Sequence, residues 1–417
     1  MARTARLLIV PLLLLGSGCT EAGEAGGRHS FDITTEDGIR VAENSGRPRY
    51  PGELFTYTEV LRLNQDESNP ESLLAYPGLV ITDEAGSFYV EDARDNRLVK
   101  FDATGNYLRT IGRQGAGPGE YRSVSLECIH NGILVITDTQ LNRVSFFRTD
   151  GSFVDSSPLP DHGRLQIQQF HLGPDDEWIL LGDIQRVDED QNRLNTAVAM
   201  VFSAEGDSMA SLSSGEIHIA KNLRLEQFNM LEIAVRYFSL SPTVLYHENH
   251  GLVLSSGLEP VMQCFDLQGR LQKVIRMNLP PEPVTKAERR AIQKYHQDWI
   301  LDAEDEQSRI TRQNMFELVD YQDPKACFSI SHIDEYGYLW ADLPYTGLSN
   351  DLFNRGGNAG CMLFSPEGEY LGNTVFPTPH AMFTRGRLTC VQDNAETGAK
   401  EVVVYALDPI PEGFVYP

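Results

Sequence analysis

One pattern recurs five times along this chain: an aromatic residue, three residues, then glycine, as Phe101–Gly105, Phe147–Gly151, Phe202–Gly206, Phe265–Gly269 and Phe364–Gly368. An alternating apolar run leads into each Phe (RLVKF, RVSFF), and another follows each Gly (NYLRTIG, SFVDSS, RLQKVI, EYLGNTV). Alternation broken by a short glycine turn is the signature of a β-hairpin. Two further runs stand upstream of each hairpin, as GLVITD and GSFYVED precede Phe101, so each unit holds four strands. The first two units also share Asp-x-x-x-Asn-Arg, as Asp92, Asn96, Arg97 and as Asp138, Asn142, Arg143. The Phe positions are 46, 55, 63 and 99 residues apart.

A sixth unit follows as HAMFTRG, RLTCVQD and EVVVYALD, with Tyr405 in the aromatic position and no room for a fourth strand before Pro417. TYTEVLRLN (Thr56–Asn64) stands ahead of the first complete unit and is free to supply it. One four-stranded sheet cannot bury both of its faces, whereas several stacked around an axis can, and closing the ring removes the ends. The prediction is an all-β fold: a six-bladed β-propeller with four-stranded blades, closed by an N-terminal strand. Length alone suggests two or three domains for 417 residues; the repeat replaces that with one ring over residues 31–417.

The units resemble those of six-bladed propellers related to NHL repeats. Gly112–Tyr121 (GRQGAGPGEY) is similar to the glycine-rich segment that joins blades in that group. It lacks the GK[ST] of a phosphate loop and opens no helix, so it reads as a linker. The likeness extends over roughly residues 56–417, with the first two units matching best. It implies a fold and leaves the ligand open.

The widest gap, about residues 280–324, holds an insertion between blades four and five. Thr285-Lys-Ala-Glu288 is a capping box, and Ala291, Ile292, Tyr295, Trp299 and Ile300 share one helical face. A second helix is predicted from Glu306 to Tyr321, with Ile310, Phe316 and Val319 inward. Packing on the ring accounts for such amphipathicity; a lid or docking arm is the alternative. Two stretches read as long loops, DIQRVDEDQNRLN in blade three and DLPYTGLSNDLFNRGGNAG in blade five.

Residues 1–18 have the build of an export signal: Arg3 and Arg6, an apolar run Leu7–Leu15, then Gly16, Ser17 and Gly18 ahead of Cys19. This arrangement resembles a bacterial lipoprotein signal, which implies acylation of Cys19. Residues 19–30 carry no large apolar side chain and read as a flexible tether. The expected location is the bacterial cell envelope, lipid-anchored, at the outer membrane on its periplasmic side or surface. Cleavage would remove Arg3 and Arg6 and take the formal net charge from −24 to −26. Such a surface disfavours nucleic acid and other anionic polymers as partners. The other five cysteines form no CxxC, and most lie in apolar runs, the setting of buried thiols.

The chain has no GxSxG, HExxH, EF-hand loop or dinucleotide fingerprint, and the His247-x-x-His250 pair lacks the helix a zinc protease needs. No catalytic residue, metal ligand or cofactor is assigned. In a propeller the innermost strands line the central channel. Those are predicted at Tyr76–Asp83, Val124–His130, Ile167–Leu172, Thr243–Glu248, Phe328–Asp334 and His380–Thr384, and their polar ends nominate Tyr76, Gln169, His332 and His380 as ligand-binding candidates. The reading is a non-catalytic, lipid-anchored module, monomeric, binding a glycan or protein partner. The alternative is a periplasmic metal-dependent propeller enzyme, a lactonase-like hydrolase or lyase. Gluconolactonase-type enzymes resemble this fold and place carboxylates and an Asn around a channel metal, a set with no residue-by-residue match here.

Overall fold

The structure, a computed structural model, describes residues 8–9, 28–63, 65, 68–225, 230–343, 360–378, 381–394 and 398–417. Six antiparallel sheets of the repeat stand around one axis. Their innermost strands are Pro77–Thr82, Ser125–His130, Gln166–Leu172, Thr243–His247, Ser329–Ile333 and Ala381–Thr384, within a few residues of the predicted ranges. Blade one continues outward through Phe88–Asp92, Arg97–Phe101 and Tyr107–Ile111, and blade two repeats that order. Middle strands such as FYVED and RLVKF are covered on both faces by neighbouring blades, while outer strands such as YLRTI are half exposed.

The aromatic-to-glycine repeat has a double purpose. Each aromatic fills the interface with the preceding blade: Phe101 between blades six and one, Phe147 between one and two, Phe202 between two and three, Phe265 between three and four, Phe364 between four and five. Tyr405 packs likewise between five and six. The ring core is therefore six apolar clusters, one per interface. The glycine closes the hairpin: Gly105 has φ +85°, and its N–H donates to Asp102 O at 2.9 Å. The ladder slips by one residue beside Phe101. A left-handed residue with that slip lets a short turn follow the twist of the two strands.

Ring closure follows the prediction. Strand Phe55–Arg62 pairs antiparallel with Lys400–Pro409 as the outer strand of blade six. In the linker between blades one and two, a Cβ on Gly112 would lie 2.4 Å from Tyr121 Cε1, so the close approach of that ring needs glycine. Tyr121 then donates to Ile111 O (2.6 Å) and accepts from Leu98 N–H (3.1 Å).

Blades three and four are larger than the repeat. In blade three, the run that sequence alone reads as a long loop is two long strands, Trp178–Val187 and Asn192–Phe202, joined by a short turn. The hairpin Ile217–Leu225 and Met230–Tyr237 extends this sheet, pairing with the far end of Asn192–Phe202. In blade four, strand Ile39–Asn44 adds in parallel to the outer strand Leu271–Met277, and Phe31–Glu36 pairs beyond it. Residues 31–44 thus cover an edge that would otherwise expose unpaired backbone.

Between blades four and five stand two helices, α1 (Lys286–Leu301) and α2 (Glu306–Glu317). Thr285 and Glu288 complete the capping box at the start of α1. Ile292 and Val284 pack with Tyr237 and Phe238. Lys325 Nζ pairs with Glu282 (2.7 Å) and Glu288 (2.6 Å), tying α1 to the strand that follows. His296 also faces inward and shares a hydrogen bond with the Tyr237 hydroxyl (2.9 Å). The long connection of blade five falls largely in residues 344–359, outside the described residues, as do the signal segment's Cys19 and the greater part of the tether.

Candidate functional site in the central channel

The six inner strands enclose a channel of about 800 Å³. Its chemistry comes from irregularities in those strands. In blade two the pairing jumps from Leu126↔Ile136 to Cys128↔Val135, leaving Glu127 as an extra residue. In blade three Gln168 is the extra residue, and in blade five Ser331. Such bulges re-aim a side chain that strict alternation would send elsewhere. Here all three line the channel.

Each extra residue bonds to one position on the neighbouring strand. The Thr137 hydroxyl donates to Glu127 Oε1, Gln168 Nε2 donates to Asp183 Oδ1 (2.5 Å), and the Ser331 hydroxyl donates to Asp342 Oδ1 (2.9 Å). Glu91 occupies the matching place in blade one and accepts from Leu126 N–H at 3.1 Å. Glu127 Oε2 accepts from Phe170 N–H at 2.8 Å, which ties blade two to blade three.

Carboxyl groups in this wall are short of water. Burial pushes the Glu127 carboxyl up to about 7, against the hydrogen bonds from Thr137 and Phe170. Burial also raises Glu91 and Asp342 above their ordinary range, opposed by Leu126 N–H and the Ser331 hydroxyl respectively. The same dryness holds His171 and His332 neutral, each lowered to about 4 by burial, with His247 nearby adding a smaller push. His332 stacks on Phe383 at 4.8 Å, and its Nε2 has no hydrogen-bond partner. His171 lies against the Tyr246 ring at 5.5 Å. The described lining of the channel contains no Lys or Arg.

Of the residues nominated from sequence, Gln169 and His332 line the channel. Tyr76 does not: it is 59% exposed and lines an adjoining hollow, with Val391 and Lys400, that shares Ala381 and Met382 with the channel. It precedes the first paired residue of its strand, and its N–H is held by Asp92 (2.8 Å), outside the wall. His380 lies outside the described residues. Strand-end reasoning missed Glu127, Glu91, Asp342, Gln168 and His171. One signal was available: an acid inside an otherwise apolar inner-blade run, as in SLECIH and LWAD.

Among the described residues, no group of three or more His, Cys, Asp or Glu side chains could hold a metal ion. The His247/His250 pair is structural at His250, whose Nε2 bonds Gly337 O (2.7 Å) and whose Nδ1 bonds Lys273 Nζ (3.1 Å). The five cysteines outside the signal are free thiols.

Fold and channel define a six-bladed β-propeller. The family described as a 6-bladed beta-propeller (DUF5128) matches residues 54–263, half of the chain, and the chain belongs to that family. Solved structures of similar fold include a protein described as exported from Bacteroides fragilis (11% identity, TM-score 0.50, 88% of this chain and 99% of that one). A DUF4221 member from Bacteroides vulgatus aligns at 11% identity and TM-score 0.48, over 86% and 99% of the two chains. The virginiamycin B lyase of Staphylococcus aureus aligns at 12% and TM-score 0.35, over 87% and 90%. No curated protein matches the chain in sequence.

Proposed function

We propose that the protein is an exported, lipid-anchored binding module of the cell envelope whose channel takes an uncharged or cationic polar ligand, such as a glycan. The observation that carries this is the channel wall: Glu91, Glu127 and Asp342 contribute acceptor oxygens, Phe383 and Tyr246 contribute ring surface, and no described lining residue is Lys or Arg. Such a wall rewards hydroxyl and amine donors and repels carboxylate or phosphate. The export signal and Cys19 support the address.

Titration calorimetry of the mature protein against neutral, amino-bearing and anionic oligosaccharides tests the reading. Saturable binding of the first two classes, weakened in Glu91→Gln, is expected; preference for the anionic class would overturn it. Stoichiometric divalent metal in the purified protein would favour a metal-dependent hydrolase or lyase instead. A Cys19→Ala protein that still fractionates with membranes would refute the anchor.

A further inference from the structure

A second cavity of about 320 Å³ opens from the channel between blades three, four and five, sharing Gln168, Gln169, Leu245 and Ser331 with it. We infer that this side pocket binds a primary alkylammonium group, so that the channel ligand carries an amine; this rests on the channel being a binding site.

Cross-strand pairs Asp183↔Ala197 and Gln185↔Asn195 put these four residues on one face of blade three, facing blade four. Further along, Leu181 and Ala199 make that face part of the apolar interface. At Asp183 and Asn195 it becomes polar and unfilled. Asp183 is 3% exposed, and both hydrogen bonds to its oxygens come from neutral amides, Gln168 Nε2 (2.5 Å) and Gln185 Nε2 (2.8 Å). The nearest cation in this chain of bonds, Arg193, stops at Gln185 Oε1 (2.9 Å). Asn195 is 6% exposed, lines the pocket, and its Oδ1 has no hydrogen-bond partner. A buried carboxylate and an orphaned carbonyl are each costly alone. Both costs fall when one donor-rich cation arrives.

The surroundings select the kind of cation. A divalent metal wants a cage of oxygens, whereas Asp183 is faced by two amide N–H donors. An ammonium is compact and donor-only. The pocket's Leu181, Val244 and Ile219 offer an apolar sleeve for its methylene stem. Ile219 belongs to the added hairpin of blade three, so that hairpin completes the sleeve.

The test is calorimetry with 1,5-diaminopentane and, as an uncharged control with the same five-carbon stem, 1-pentanol. The diamine is expected to bind the mature wild-type protein saturably and 1-pentanol at least tenfold more weakly. Asp183→Asn and Asn195→Leu are each expected to weaken the diamine at least tenfold while thermal melts show both variants folded. Equal affinity for diamine and pentanol, equal affinity in wild type and Asp183→Asn, or no diamine binding would each overturn the proposal. The two readings separate because Glu91 lies outside the pocket. Loss of diamine binding with oligosaccharide binding intact rejects the pocket alone, while the reverse rejects the channel reading.

Discussion

Blades one and two are built differently from blades three and four, and the difference shows in how a buried aspartate is held. Blades one and two are plain four-stranded units joined by a polar clamp. Asp92 accepts from Ala75 N–H, Tyr76 N–H and Arg97, and Asp138 accepts from Arg122, Gln140 and Leu141 N–H. Arg97 donates to carbonyls of the linker entering blade one, and Arg143 to those of the linker entering blade two. Asn96 grips Arg122 O and Val124 N–H, the entry to the next blade. Blade three repeats the spacing at Asp188, Asn192 and Arg193, but there Asp188 accepts from Asn192 and Arg193 donates to Gln185 Oε1, and blades three and four carry extra strands. Asp183 and Asn195 of blade three line the side pocket. Asp92 and Asp138 are held by backbone N–H groups, whereas Asp183 is met by side-chain amides alone.

The clamp is where a single substitution should cost the most. Asp92 is 0% exposed and paired with Arg97 at 3.1 Å. Asp92→Ala leaves the Ala75 and Tyr76 N–H groups without their acceptor and takes from Arg97 its buried carboxylate, leaving it the Glu71 and Leu73 carbonyls, a loss of about 3–5 kcal/mol. Urea unfolding should show the midpoint falling with that magnitude. A loss under about 1 kcal/mol would mean that the linkers hold themselves.

Next in size is a change that makes blade two resemble blade three. Glu127 and Gln168 occupy the same bulge, one acidic and one neutral. With its carboxyl raised from 4.5 to about 7 in the fold, Glu127 keeps its proton to higher pH when folded than when unfolded. Its favourable contribution is complete below about pH 4.5 and is lost as pH rises through about 7. Glu127→Gln should therefore equal wild type near pH 4 and exceed it at pH 8 by up to about 3 kcal/mol. A gain that did not change with pH would show that Glu127 titrates normally. In that case the channel wall is wetter than its burial implies.

A smaller effect is expected at the linker. Tyr121→Phe keeps the ring under Gly112 and deletes the hydroxyl shared by Ile111 O and Leu98 N–H, costing about 1–2 kcal/mol. Tyr121 belongs to the glycine-rich segment legible in the sequence, and that is no accident. Turns, clamps and interface plugs each demand a particular residue at a particular spacing, so Phe-x-x-x-Gly and Asp-x-x-x-Asn-Arg could be read directly. The channel is harder to read, because a bulge reverses by one residue which side chains face inward, and its trace is a single acid in a run such as SLECIH. Strand ends were therefore nominated in place of Glu127, Gln168 and Ser331. The extension of the two middle strands of blade three is hidden for another reason: DIQRVDEDQNRLN is polar enough to pass for a loop, yet Val187 pairs with Arg193 and Asp183 with Ala197, and Asn192 and Asn195 pair again with Lys221 and Ile217.

The smallest effect on stability is expected where the largest effect on binding is proposed. Asp183 is nearly as buried as Asp92, so a reading from burial alone ranks the two together. Their partners rank them apart. Asp92 offsets a guanidinium and two backbone donors, whereas Asp183 meets the amide groups of Gln168 and Gln185. A carboxamide in place of Asp183 keeps one acceptor oxygen for Gln185, and the Gln168 amide can rotate to accept from the new NH2. Asp183→Asn should shift the unfolding free energy by less than about 1 kcal/mol in either direction. Asp92→Asn, measured beside it in the same urea titration, should lose several times more. Equal losses at the two sites would make Asp183 another structural clamp and erase the distinction between an aspartate that holds a linker and one that faces a pocket.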